Sequence, residues 1–424
     1  AGKGFTELIA DATTIGGDHV NFSLGANGDT IILSDSAGTT EIDRVTFSAQ
    51  PTGVNQGRFP DGVTSFALFP DTPSPGDSNW LPATGIVINE ALSASASTIE
   101  DMIELRNTGA TAVDASGWFL SDSSRNLRKY QIPPGTTIAG GAYQVFHESQ
   151  FNAGAYPFSL DSTDGDSVYL SVADAGGGLT GYRVQVKFGA AAPGVSFGRI
   201  VNANGEHFAA LTARTFPGAN AEPVVGPVVI NEMMYHPPDL AGGVDNTGDE
   251  FIELHNITFP PVALHDPANP ANRWRLRDAV GFSFPAGTTI PPGGYLLVVG
   301  FDPSDTARLA AFRATYGLSA SVPVHGPWSG KLANSDNSVE LVKPLPPVGG
   351  LVPWVLVDKV HYYDNTPWPA AADGGGASLQ RIDRSSFSDD PAVWTAGTPT
   401  GATNNISQEP MGNGDTDSDG LPDW

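Results

Sequence analysis

The sequence predicts an all-β protein built from tandem two-sheet sandwiches, the first of them truncated. Three observations carry that prediction: an internal repeat, short apolar runs separated by tight turns, and a composition too rich in Gly and Pro for a helical protein. The repeat is plainest where Ile132 to Tyr143 reads IPPGTTIAGGAY and Phe284 to Tyr295 reads FPAGTTIPPGGY. Ahead of these phrases stand Ile88-Asn89-Glu90 with Met102-Ile103-Glu104-Leu105, and Ile230-Asn231-Glu232 with Phe251-Ile252-Glu253-Leu254. A partial copy opens the chain. AGKGFTELIAD at 1–11 aligns with AGGAYQVFHES at 139–149, and the run Gly28 to Leu33 aligns with Gly165 to Leu170. Residue 1 thus corresponds to residue 139 of the next copy, and the expectation is a piece of a longer polypeptide whose first module lacks its front strands.

The 50 Gly and 35 Pro suit many short strands joined by turns. A module of about 140 residues buries roughly two-thirds of its unfolded surface, enough for a core without disulfide or metal. With 21 Lys and Arg against 46 Asp and Glu, the net charge of −25 would repel a polyphosphate backbone, which argues against a nucleic-acid partner. It fits solubility, divalent-ion affinity or a saline setting. Cysteine is absent, so disulfide frameworks, thiolate metal sites and cysteine nucleophiles are excluded. Apolar runs such as Tyr295 to Val299 fall far short of the ~20 residues that span a bilayer.

Taken in order, the fragment 1–80 ends in Pro73-Ser74-Pro75-Gly76, and a second module covers 84–222. Its strand signals are Ile86 to Ile88, Met102 to Leu105, Trp118 to Leu120, Ala142 to Phe146, Val168 to Ser171, Tyr182 to Phe188 and Val195 to Ile200. That spacing matches an immunoglobulin-like sandwich better than a barrel or propeller. Alternation directs Ile103 and Leu105 to the core and Glu104 to solvent, with Ile252, Glu253 and Leu254 repeating the pattern. The third module, 227–406, is longer: Glu232 to Glu253 spans 21 residues where Glu90 to Glu104 spans 14, the addition falling in the loop through His236-Pro237-Pro238. Beyond it, Asp302 is an N-cap candidate with Pro303 in the first turn, and Leu309, Phe312 and Tyr316 stand at helical spacing. This predicts one short helix laid on the sandwich as core cover. The short linkers Leu81 to Gly85 and Ala221 to Pro227 contain Pro and predict semi-stiff joints.

Together these motifs resemble the bacterial form of the lamin tail domain. The resemblance rests on Asn89-Glu90 and Asn231-Glu232, the Ile103-Glu104-Leu105 and Ile252-Glu253-Leu254 strands, Ser116-Gly117-Trp118-Phe119-Leu120, the Pro-Gly-Thr-Thr-Ile turn, and Trp368-Pro369 through Gly374-Gly375-Gly376 to Asp383. It covers roughly 1–406 and departs at Arg273-Trp274-Arg275-Leu276, where Ser-Gly-Trp is expected. The resemblance implies an immunoglobulin-like, non-catalytic module of secreted or surface proteins in bacteria, often beside hydrolase, nuclease or spore-coat-kinase-like domains. Fold alone does not assign function.

Four chemical signals stand on particular residues. Gly194-Val195-Ser196-Phe197-Gly198 matches G-x-S-x-G, but a nucleophile elbow needs a strand, a strained turn and a helix. Here an apolar strand follows, and the first copy has Asn55 in place of the serine. Glu90 with Glu104, and Glu232 with Glu253, could be acid/base pairs if held about 5 to 10 Å apart in a cleft; their place in the repeated framework points to a turn or edge role. His236, His255 and His265 lack the spacing of a helical zinc pair. Trp80, Trp118, Trp274, Trp354, Trp368 and Trp394 read as core or turn packing more readily than as a sugar platform.

The fifth signal is stronger. In segment 411–424, Asp415, Asp417, Asp419 and Asp423 set side-chain oxygens at calcium-loop positions 1, 3, 5 and 9, Gly420 stands at 6, and Leu421 offers its carbonyl at 7. Position 12, the bidentate ligand, would be residue 426, so the loop is expected to bind Ca2+ incompletely. It resembles thrombospondin type 3 and dockerin-like calcium repeats. The combined expectation is a non-enzymatic spacer, adhesion or protein-docking region of an extracellular or cell-surface bacterial protein, with a protein or surface glycan as partner. The alternative is an accessory targeting region of a larger extracellular hydrolase, nuclease or spore-coat-kinase-like protein.

Overall fold

The computed structural model describes residues 4–93 and 99–405. Strands dominate it, as the Gly- and Pro-punctuated sequence predicts. The chain divides into two compact units, residues 1–89, 102–159 and 167–186 forming one and residues 90–101, 160–166 and 187–424 the other.

In the first unit, the repeat copy at the front forms separate hairpins. Gly28–Ser34 pairs with Glu41–Ser48, and Asn55–Arg58 with Phe66–Phe69. The first hairpin leaves Ile32, Leu33 and Ile42 half or more exposed, at 50%, 56% and 63%. Its counterpart strands Asp166–Ala173 and Leu179–Phe188 lie instead inside a five-stranded sheet with Phe119–Ser121, Tyr130–Gln131 and Leu81–Pro82. There Val168 and Leu170 are fully buried. The same unit holds Met102–Asn107 antiparallel to Tyr143–His147. Tyr130 of the first sheet meets Phe146 of this second layer edge-on, ring centroids 6.0 Å apart, which is two-sheet packing.

The strand Ile86–Leu92 passes from one unit to the other. Its end, Glu90 and Ala91, pairs with Phe197 and Gly198 at the start of a hairpin, Phe197–Asn202 with Gly205–Ala210. Its strands pair Asn202 with Gly205 across the two-residue connection Ala203-Asn204, and Gly205 takes a positive φ that suits glycine.

The rest of the second unit is a full sandwich. One sheet has six strands in the order Val324–His325, Tyr295–Val299, Phe251–Asn256, Val228–Met234, Ser378–Arg381, Trp394–Gly397. The other has five: Ser329–Gly330, Val280–Ser283, Arg275–Asp278, Asp336–Pro344, Trp354–Tyr363. Between them lie Ile230, Leu254, Val298, Leu276, Leu341 and Val360. Of the six tryptophans read as packing residues, Trp274, Trp368 and Trp394 join this core, while Trp80, Trp118 and Trp354 are half-buried.

Helix Thr306–Thr315 covers the far face of the six-stranded sheet. Phe312 is fully buried against Met234, Phe251, Leu297 and Val299, giving a third layer. The cap differs from the sequence expectation. Asp302 closes a turn onto Ser304, and Asp305 caps the helix by accepting from the backbone N–H of Ala307 and Arg308. The chain must first reverse off strand Tyr295–Val299, so the helix starts one turn later than Pro303 suggests.

Candidate functional site

The repeated Asn-Glu pair lies within a strand in the interior of a sheet, and the structure corrects the expectation that the glutamates face solvent or a turn. Glu90, Glu104, Glu232 and Glu253 are all 0% exposed. The cause is coverage on both faces: Val228–Met234 and Phe251–Asn256 are buried at every residue, so alternation has no solvent side there.

Each buried carboxylate is held by residues that recur in the other copy. Glu90 accepts from the Ser196 hydroxyl at 2.6 Å and from the Thr215 hydroxyl at 2.6 Å and backbone N–H at 3.1 Å. Glu232 accepts from the Ser378 hydroxyl, the Thr400 hydroxyl and the Thr400 N–H in the same way. Asn89 donates to Glu104 at 2.7 Å, and Asn231 to Glu253 at 2.8 Å. A closing asparagine completes each set, Asn220 donating to the Arg199 carbonyl and Asn405 to the Arg381 carbonyl, both at 3.0 Å.

Ser196 therefore has a structural partner. It is fully buried, its proton goes to Glu90, and an extended strand follows it where an elbow would need a helix. Glu232 and Glu253 stand opposite each other in the strand register. Burial raises the Glu232 carboxyl above the ordinary range, and burial together with the Glu232 charge raises Glu253 well above it. Two acids with unequal proton affinity could in principle share acid/base work. Both carboxyls lie mid-sheet with no exposed surface.

The histidines separate. His255 is buried against Tyr295 and pushed down to about 3 by burial and the neighbouring Arg384 and Arg381, so it stays neutral. His265 lies in a turn bridged to Arg273. His236 meets Asp239 and Asp245, a grouping that residue spacing along the chain did not reveal. The available signal was the long loop itself, which brings a histidine and several aspartates into a place where residues 91–103 of the other module have no histidine. The calcium-loop residues Asp415, Asp417, Asp419, Leu421 and Asp423 lie outside the described residues.

A second group of contacts sits where the 197–210 hairpin meets the sandwich in the same compact unit. Asn204 donates to Asp389 at 2.9 Å and to the His361 carbonyl at 3.2 Å, while Trp368 Nε1 donates to Asn204 at 3.1 Å. Asn202 donates to the Asp389 carbonyl, and the His207 ring packs edge-on to Phe387. The linker is bound as well, Val224 N–H donating to Ala210 and Thr212 N–H to Glu222. This joint is pinned by directional bonds.

The fold is that of immunoglobulin-like β-sandwiches. Residues 82–186 match the family described as Lamin Tail Domain, the resemblance expected from the repeated motifs. No curated protein shows significant similarity to the chain. Among solved structures, the crystal structure of a DUF4876 family protein from Bacteroides thetaiotaomicron VPI-5482 is 11% identical over 59% of this chain and 96% of that one, with a TM-score of 0.29.

Proposed function

We propose that the chain is a non-enzymatic spacer and docking region of a secreted or cell-surface bacterial protein, with a calcium-binding segment at 411–424. The observation that supports it best is the duplicated buried network. The residues with catalytic potential, Ser196 and the four glutamates, are consumed in holding strands together, and the same wiring recurs in the other copy. No helix among the described residues is long and apolar enough to cross a membrane. The acidic surface suits a saline exterior where calcium is abundant.

Esterase, protease and glycosidase panels test the non-enzymatic part. Background rates are expected throughout, and activity abolished by Ser196→Ala would overturn it. Calorimetry tests the calcium part. A loop of this kind binds at roughly 10⁻⁴ to 10⁻³ M. Asp415→Ala with Asp419→Ala should abolish the binding, and unchanged binding in the double variant would refute the loop.

A further inference from the structure

The loop that lengthens the third module folds back on itself. Leu240 N–H donates to Val244 and Gly243 N–H to Leu240, and Asn246 ties the loop down through the Pro238 carbonyl and Asp249. These turns bring ligand atoms of His236, Asp239 and Asp245 within 4.8 Å of one another. His236 is oriented from two sides. Its Nδ1 is hydrogen-bonded to Asp373, and Gly374 packs so closely that a Cβ there would stand 3.2 Å from the ring. With Nδ1 engaged, Nε2 is the free ring nitrogen, and it points to Asp239 at 3.8 Å.

We propose that His236, Asp239 and Asp245 bind one divalent transition-metal ion of the zinc type, with Asp373 positioning the His236 ring. A carboxylate on the far nitrogen of a ligating histidine is the usual way such a ring is held. Metal–ligand bonds of about 2.0 to 2.2 Å in tetrahedral geometry place donor atoms roughly 3.3 Å apart. His236 Nε2 and Asp239 stand 3.8 Å apart, so the exposed Asp239 side chain needs to move about half an ångström to reach that spacing, and the Asp245 ligand atom lies within 4.8 Å of both. Imidazole nitrogen with two carboxylates suits zinc and its neighbours, whereas calcium takes six to eight oxygens.

A second observation concerns Glu250, an electrostatic neighbour of Asp245. Glu250 is 0% exposed, and its Oε1 has no hydrogen-bond partner, while Oε2 accepts from Leu332 N–H at 3.1 Å. Its electrostatic neighbours are Asp245 and Lys331. A buried carboxylate oxygen left open beside a charged aspartate is relieved by an added cation. Lys331 and Asn334 already contact Asp245, at 3.0 and 3.2 Å. A carboxylate has about four acceptor positions, and the Lys331 side chain is 59% exposed and free to swing away.

The test is a zinc titration of the whole chain, freed of metal by dialysis against a chelator and read with a chromophoric indicator. Asp415→Ala with Asp419→Ala is the common background, so the terminal aspartates do not contribute. One equivalent is expected, weakened roughly tenfold or more by His236→Ala and by Asp239→Ala, and roughly 10- to 100-fold by Asp373→Asn. Asp239 is exposed and outside the core, so its variant keeps the fold if His236→Ala does not. Cobalt in place of zinc should give a visible absorption band that is lost in both ligand variants. Absence of a tight equivalent, unchanged binding in Asp239→Ala, or displacement of zinc by equimolar calcium would each overturn the site.

Discussion

Arg381 carries its charge with no exposed surface, and its partner Asp358, 2.9 Å away, is almost as buried. Burial raises the Asp358 carboxyl, while Arg381, Ser388 and the Ile230 N–H pull it back, so the pair persists because every polar atom finds a partner. Arg381→Met leaves that carboxylate unpaired and should cost about 3 to 5 kcal/mol in urea unfolding; a loss below about 1 kcal/mol would contradict the buried-pair account. The matching Arg199 is partly exposed and pairs with Glu206, so the repeat alone could not tell a core arginine from a surface one. Glu253 supplies a pH test. Its folded-state proton affinity is raised, so between the unfolded value near 4.5 and the higher folded value the native state holds the extra proton. Its contribution is then unpenalised at low pH, and stability falls as pH rises through that window. As pH rises above the ordinary value of 4.5, Glu253→Gln should lose less stability than the parent chain, and equal slopes would show that Glu253 is not held protonated. Sequence alternation missed this burial because it counts one covered face, and these strands have two.

Elements were more legible than single residues. The apolar spacing of Leu309, Phe312 and Tyr316 located helix Thr306–Thr315, and Phe312 is its buried anchor. Phe312→Ala should cost about 3 to 5 kcal/mol by opening a cavity under the helix. Asp305→Ala should cost about 1 kcal/mol through the lost cap, and Asp302→Ala should cost less, because it serves only a turn. The reverse ranking of the two aspartates would restore the earlier cap. Strand Gly205–Ala210 was not predicted, although Asn204-Gly205 is a strong hairpin signal, because its polar start, Gly205-Glu206-His207, breaks the apolar run used to find strands. Of these, His207 packs edge-on to Phe387, while Glu206 pairs with Arg199 inside the hairpin.

At the scale of the molecule, repetition is what made the architecture readable: each motif seen twice marked a framework position before its contacts were known. The long-range partners were not readable, since Glu90 meets Ser196 and Thr215 only after the chain has passed through two sheets. Exposure also varies between copies. Amide exchange should be faster in the 28–48 hairpin, with its exposed Ile32, Leu33 and Ile42, than in the matching strands of 166–188, and equal protection would contradict that difference. The central claim is that the recurring serine, threonine and glutamate hold the modules together and do no chemistry. The most direct test is the unfolding free energy of Ser196→Ala and Ser378→Ala, measured side by side. Each removes the same donor from the same buried carboxylate in its own copy, so both should lose about 1 to 3 kcal/mol. A Ser196→Ala chain as stable as its parent would contradict the account.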